Sequence, residues 1–239
     1  MANRIPISLD RPFLRDAIIE FRYEPQIEPE LIKGLLFEKL RQCSWKLPEN
    51  RLQLPIRLGQ ELVVQANRII ELHRGDFRLA LPPNALSFNV RVQYPGYADN
   101  YRPVLTETLE HLGDETILHF TGVGLRYIND FAGIDIYGVI QRFTETGLEG
   151  FSEANRVVRW NFVQEETLIG VTIGNALPSR DNQDELGSVI DIDLQEHCEP
   201  TVEIKEVIDL ADRLHDLNKA ILFGQLLPED FVGRFGPSY

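Results

Sequence analysis

The sequence is poor in cysteine and in long apolar runs, and both shortages exclude classes of protein. Cys43 and Cys198 are its only cysteines, too few for a disulfide scaffold and without the spacing of a metal-binding pair. We expect reduced thiols, although one bridge between the two is left open. No apolar run approaches the roughly 20 residues of a transmembrane helix, and the N-terminus carries charges where a signal peptide needs an apolar core. These features predict a cytoplasmic protein without a membrane segment.

Basic residues are also in short supply. The chain has 24 Lys and Arg against 37 Asp and Glu, which gives a net charge of −13. Residues 1–120 hold 15 basic and 16 acidic side chains, whereas residues 121–239 hold 9 and 21. Such a chain lacks the broad basic surface with which proteins bind nucleic acid or anionic membranes, so we expect neither partner. With 43% hydrophobic and 26% charged residues, the composition is that of a globular protein.

Hydrophobic periodicity in the first half predicts a strand, a helix, a meander and a second helix. The segment 17–23 is a short β-rich run closed by Pro25, and Pro29 opens a helical pattern that ends near Cys43. Alternating residues over 51–92 predict about four antiparallel strands. A further helical pattern over 101–112 ends at Gly113.

The same order returns in the second half. We predict a strand in 116–131, a helix over 134–146, two strands within 156–173, a strand over 188–194 and an amphipathic helix over 204–223, with an irregular tail after Gly224. The fold class is therefore α+β, with antiparallel sheet covered by helices on one face. We expect one compact unit, and the repeated order suggests a duplicated β-α-(β meander)-α plan in halves 1–113 and 114–239.

Several segments together resemble a known family. They are DAIIEFRY at 16–23, YPGY at 94–97 with YRP at 101–103, GLRYIN at 124–129, and LHDLNKAILFGQL at 214–226. In these the chain resembles a sporadically distributed, functionally uncharacterised family of prokaryotic proteins of about this length. The resemblance implies a bacterial cytoplasmic protein, and the patchy distribution is typical of mobile or defence-associated genes. It supplies no activity, cofactor or catalytic residue.

The GLRYIN segment contains the most interesting polar residues. Along a strand Tyr127 and Asn129 share one face while Arg126 lies on the other. A guanidinium in an apolar strand needs an anion, which is either a carboxylate of this chain, from Glu20 or the 188–194 strand, or a bound ligand. Glu20 and Arg22 pose the same alternatives, because they are two residues apart on the first strand. These five residues are the candidates for a ligand or anion site.

Alternating charges on the strands suggest a second possibility. Glu20-x-Arg22, Asp191-x-Asp193 and Glu203-x-Lys205 are fragments of the arrays with which tunnel-shaped triphosphate hydrolases use a divalent metal. Asp191 and Asp193 would share a face and offer oxygen ligands to Mg²⁺. Nine bases in the second half are few for such a tunnel, and solvent-facing carboxylates explain the pair equally well.

The strongest concentration of charge lies between Asp181 and Asp216, with 12 acids and two bases. It is either a solvated surface or a docking surface for a basic protein, for which Glu203, Glu206, Asp209 and Asp212 are the candidates. No catalytic motif is present, so we expect a protein-binding module, in a defence or toxin-neutralising setting, and we expect no cofactor. The alternatives are a metal-dependent phosphoryl hydrolase of the triphosphate-tunnel type and a small-anion sensor in which Arg126 and Tyr127 line a pocket between sheet and helices.

Overall fold

The computed structural model describes residues 4–48, 69–90, 94, 96–113, 118–140, 156–178 and 186–239. Within these ranges one antiparallel sheet of eight strands runs through the molecule in the order β3-β4-β5-β2-β6-β9-β8-β7. A second, two-stranded sheet pairs β1 with β10 near the two ends of the described chain. The strands are β1 (Ser8–Leu9), β2 (Leu14–Pro25), β3 (Ile70–Arg74), β4 (Phe77–Leu81), β5 (Ala85–Val90), β6 (Leu118–Ala132), β7 (Val157–Gln164), β8 (Thr167–Pro178), β9 (Leu186–Thr201) and β10 (Pro237–Ser238).

The helices pack on one face of the large sheet, which confirms the predicted α+β class. They are α1 (Pro29–Gln42), α2 (Arg102–Gly113), α3 (Ile204–Lys219) and α4 (Glu229–Val232), with π-helical turns over Tyr97–Tyr101 and Ala220–Leu226. Helix α3 lies against β6 and β9, and α2 contacts both α1 and α3. Pro29 stands in the first turn of α1, where its missing N–H costs nothing.

The strand order is symmetric about the β2–β6 pair. From β2 the first half continues outward through β5, β4 and β3, and from β6 the second half continues through β9, β8 and β7. Helix α2 follows β5 in the chain, just as α3 follows β9. The described strands thus follow a symmetric order, and a duplication of the two halves stays a prediction. Strand predictions over 49–68 lie outside the described residues.

Three segments differ from the sequence expectation. The described part of the predicted 134–146 helix holds only a 3₁₀ turn over Ile136–Gly138, begun by the Asp135 side chain, which accepts from the Tyr137 N–H. Strand β9 continues to Thr201 because its polar second half still pairs with β6 and β8. The tail after Gly224 is ordered by α4 and by the pairing of β10 with β1.

The two faces of the sheet differ in character because side chains alternate along each strand. On β2 the buried residues Ala17, Ile19, Phe21 and Tyr23 face the helices. Their neighbours Asp16, Ile18, Glu20 and Arg22 are half-buried on the face that no described helix covers. We call this second face the polar face.

Candidate functional site

Strands β2, β6 and β9 bring the charged candidates together at the centre of the polar face. The register places Ile18 opposite Arg126, and Arg126 opposite Asp193. Two residues further along, Glu20 lies opposite Gly124, and Gly124 opposite Gln195. Strict alternation then puts Arg22 and Asp191 on the same face. Residues far apart in the sequence thus become neighbours across three strands.

Arg22 is the hub of one hydrogen-bonded chain on this face. Its Nε donates to Glu20 Oε1 at 2.9 Å, and its Nη1 donates to Gln195 Oε1 at 3.2 Å. The Gln195 amide in turn donates to Asp193 Oδ2 at 3.3 Å. These hydrogen bonds link the Glu20 and Asp193 carboxylates through the guanidinium and a neutral amide, and they connect side chains of β2 and β9 across β6.

Arg126 forms a second, bidentate pair with Asp191. Its Nε lies 2.9 Å from Asp191 Oδ1 and its Nη2 lies 2.6 Å from Oδ2. The hydrogen bond to Asp191 raises the pKa of Arg126 above its usual value, so the charge on the guanidinium is permanent. The sequence suggested two internal partners for Arg126, Glu20 or a carboxylate of the 188–194 strand, and the structure shows the second.

Two acceptors on the polar face are less well satisfied. Burial raises the pKa of Asp193, whose Gln195 hydrogen bond acts in the opposite direction. Asn89 on β5 is 8% exposed, and its Oδ1 has no hydrogen-bond partner within the described ranges. This carbonyl oxygen is therefore able to accept a hydrogen bond. Asn89 lies opposite Ile18, in the same row as Arg126 and Asp193.

A bulge in β6 requires a residue without a side chain. At Gly122 a Cβ atom would come within 2.6 Å of the Glu196 carbonyl oxygen, closer than real Cβ atoms approach. The register between β6 and β9 shifts at this point. Gly122 thus allows the close approach of the β6 backbone to Glu196 and His197 of β9.

Tyr127 and Asn129 lie on the opposite face, under the helices. The sequence predicted that they and Arg126 would point to different sides, and the sheet register agrees. The finer hypothesis of one pocket shared by Arg126 and Tyr127 is wrong, because the sheet itself separates the two side chains. Asn129 is 1% exposed and donates to the Ile190 carbonyl, so it serves the core.

The acidic docking candidates on α3 divide into two groups. Glu203, Glu206 and Asp209 are exposed. Asp212 instead accepts from Arg102 Nε and from the Tyr97 hydroxyl at 2.8 Å. We therefore remove Asp212 from the docking surface, because its carboxylate joins α3 to the start of α2.

Sequence reasoning missed a group of polar residues on the helix-covered face. Tyr94, Tyr97 and His215 meet Tyr127 at one wall of a cavity of about 720 Å³ between β6, α3 and the segment that includes β1. The sequence signal was the aromatic YPGY segment, and Gly96 adopts a φ of 92°, a conformation that favours glycine. The landmarks YPGY, GLRYIN and LHDLNK each contribute to this cavity.

Within the described ranges, no three His, Cys, Asp or Glu side chains are grouped so that they could hold a metal ion. Cys43 and Cys198 are both free thiols. None of the described helices combines the length and the apolar character needed to span a bilayer.

Comparison with known proteins leaves the family open. No protein-family model matches the sequence, and a search of curated proteins finds no match either. The resemblance carried by the GLRYIN segment and its companion motifs therefore stays a prediction.

Proposed function

We propose that this chain is a cytoplasmic binding protein for a phosphorylated small molecule, a nucleotide or polyphosphate complexed with a divalent cation, which it takes on the polar face. The carrying observation is the fixed array of guanidinium and carboxylate groups that β2, β6 and β9 present side by side. Guanidinium groups recognise phosphate oxygens in a bidentate geometry, and carboxylates bind hard cations.

The balance of charge favours a ligand of mixed sign. Glu20, Asp191 and Asp193 stand among Arg22 and Arg126, so a bare anion would meet more carboxylates than guanidinium groups. A metal-bound phosphate carries both positive and negative charge. Its phosphate oxygens could replace the carboxylates as partners of the two arginines, and its cation could replace the arginines as partner of the carboxylates. The ion pairs seen here would then be exchanged for ligand contacts, which lowers the desolvation cost of binding.

The carboxylates of β9 fit the role of cation ligands. Asp191 and Asp193 would hold Mg²⁺ together with the ligand's own phosphate oxygens, and Mg²⁺ is usually bound by one or two carboxylates plus substrate phosphates. When bound, the ion neutralises phosphate charge. Arg22 and Arg126 would orient the phosphoryl groups from β2 and β6. Hydrolysis of the ligand is the corresponding enzymatic alternative.

The test measures the melting temperature and the release of inorganic phosphate with ATP, GTP and tripolyphosphate, each with Mg²⁺. A ligand at 100 times its dissociation constant stabilises the native state by about 2.7 kcal/mol. We expect a clear shift in wild type, its loss in Arg126→Gln and Asp191→Asn, and no loss in the control Arg213→Gln on α3. Equal shifts in melting temperature in all four proteins, or no shift in wild type, would contradict the proposal that the ligand binds the polar face. Phosphate release separates turnover from binding.

A protein partner on α3 is the second candidate. The observation that favours it is the exposure of Glu203, the N-cap residue of α3, and of Glu206 and Asp209 along that helix. Complementary charge accelerates the encounter with a basic protein. Reversing these three residues to Lys, with Asp212 left intact, should preserve the fold and abolish co-purification of a partner from the host cell. A partner that is retained equally well by the triple variant would end this hypothesis.

A further inference from the structure

We propose that the cavity under α3 is a second, separate binding site, and that its ligand is a small uncharged amphiphile with a polar head and an apolar body. Its volume of about 720 Å³ lies within the range of roughly 300–1,000 Å³ that is usual for small-molecule sites. The site shares no residue with the polar face, because the sheet lies between them. The proposal of this site is therefore independent of the proposed phosphate site.

The polar end of the cavity is a chain of hydrogen bonds between neutral groups. The Tyr94 and Tyr127 hydroxyls are 3.2 Å apart, and the Tyr127 hydroxyl is 3.0 Å from His215 Nδ1. The His215 ring stacks on Tyr97 at 4.0 Å between ring centroids. These contacts fix the imidazole ring in position at the wall of the cavity.

The direction of this chain determines what it offers a ligand. If Tyr94 donates to Tyr127, and Tyr127 donates to Nδ1, both hydroxyl protons have an acceptor and the imidazole proton is on Nε2. In the reverse direction the imidazole donates from Nδ1, and the Tyr94 hydroxyl proton is the one without an acceptor among the described residues. Either direction therefore leaves one neutral donor, the Nε2–H or the Tyr94 O–H, for a carbonyl or hydroxyl group of a ligand.

The charges around the cavity give no net preference for an ion. Burial, aided by the nearby charge of Lys219, lowers the pKa of His215 to about 4, so the imidazole is neutral at physiological pH. Arg102 is paired with Asp212, to which its Nε donates and from which its Nη2 lies 2.9 Å. Lys219 and Asp216 are one cation and one anion at the wall. A charged head would therefore lose its hydration without gaining an unopposed counter-charge.

The other end of the cavity is apolar. Phe13 and Leu14 enter from the segment after β1, and Leu222 and Phe223 enter from the π-helical turn after α3. The Phe13 and Phe223 rings lie 6.0 Å apart. An aliphatic or aromatic body would pack here while the head reaches His215, and this division of the lining defines the amphiphilic ligand.

The experiment compares three probes with the same eight-carbon chain by isothermal titration at neutral pH: octanamide, octanoate and octylammonium. We expect octanamide to bind with one site, and the two ions to bind at least about tenfold more weakly, equivalent to about 1.4 kcal/mol. If octanoate or octylammonium bound as tightly as octanamide, the proposal that the ligand is uncharged would be wrong. If octanamide did not bind, the proposal of a binding site in this cavity would be wrong.

Matched variants locate the binding. Ala98 is exposed and lines the cavity mouth, whereas its neighbour Asp99 is exposed and does not line it. Ala98→Trp should abolish octanamide binding, and Asp99→Trp should leave it unchanged, with melting temperatures confirming that both variants fold. Tyr94→Phe, which removes one hydroxyl, should weaken binding without filling the cavity. Equal affinity in Ala98→Trp and wild type would show that octanamide binds elsewhere.

Discussion

The two faces of the central sheet handle polar groups in opposite ways. On the polar face the side chains are ionised, and they pair with one another in the open, as Arg126 does with Asp191. Under the helices the polar groups of Tyr127 and His215 are neutral and linked by a hydrogen bond. Burial accounts for the difference, because a charge can remain only where water or a close counter-charge compensates its desolvation.

Stability and the proposed ligand binding depend on different faces of the sheet. The helix-covered face contains nearly all large buried side chains, including Phe21, Phe88 and Phe120 with their edge-to-face contacts. The polar face contributes exposed pairs, which stabilise proteins little. Its charges are therefore free to serve a ligand at small cost to the fold.

The largest expected effect comes from neighbouring isoleucines on opposite faces. Ile19 is fully buried under the helices, so Ile19→Ala should lower the free energy of unfolding by about 2–5 kcal/mol through lost burial and a residual cavity. Ile18 is half-buried on the polar face, and Ile18→Ala should cost about 1 kcal/mol or less. Urea denaturation measures both values. Equal losses would contradict the assignment of the core to one face.

The next effect is a pH dependence that originates from His215 on the covered face. The pKa of His215 is about 4 in the folded protein and 6.5 in the unfolded chain, so between these values the unfolded chain binds more protons. Stability from this group is complete above pH 6.5 and is lost as the pH falls toward 4, by at most about 3 kcal/mol.

The His215 dependence is measured as a difference between variants. Unfolding free energies of wild type and His215→Phe are compared across that pH range, so that carboxylates which titrate in both proteins cancel. The exposed His73 provides the control, and His73→Phe should follow wild type. An equal slope in wild type and His215→Phe would show that another group is responsible.

A smaller effect is expected where α2 meets α3. Asp212→Asn removes the charge that binds Arg102 and Tyr97, and because both charged side chains are partly exposed the loss should be about 1 kcal/mol. Asp209→Asn, on the same helix but exposed, is the matched control and should change stability by less than about 0.5 kcal/mol. Thermal unfolding measures both. Equal melting temperatures for the two variants would count against the interhelical bond.

The smallest effect on stability comes from the polar face itself. The Arg126 side chain is 47% exposed, so Arg126→Gln should lower the free energy of unfolding by about 1 kcal/mol at most, and less at high salt. Chemical denaturation at low and high salt tests this. A loss as large as that of Ile19→Ala would mean that the pair is structural, and it would weaken the case for a ligand.

The fold was largely predictable because its signals are local. Prolines and a glycine delimit α1 and α2, and period-two runs mark most strands. The same alternation correctly divided Arg126 from Tyr127. The polar end of β9 could not be predicted, because Glu196 and His197 are held as strand by neighbours on β6 and β8 and not by their own pattern.

The site was predictable only in part, since it depends on contacts distant in sequence. The partner of Arg126 could be limited to a few acids, but Gln195 and Asn89 carry no motif and acquire their roles from register alone. Tyr94, Tyr127 and His215 belong to three different segments of the chain, and no spacing in the sequence predicts that they contact one another at the cavity.

The central claim is that the polar face binds a metal-complexed phosphate. Isothermal titration of tripolyphosphate with Mg²⁺ into wild type, Asp191→Asn and Arg213→Gln tests it most directly. We predict one site in wild type and in Arg213→Gln, and an affinity at least about tenfold lower in Asp191→Asn, because the carboxylate is a cation ligand. Equal affinity in wild type and Asp191→Asn, or no binding to wild type, would contradict it.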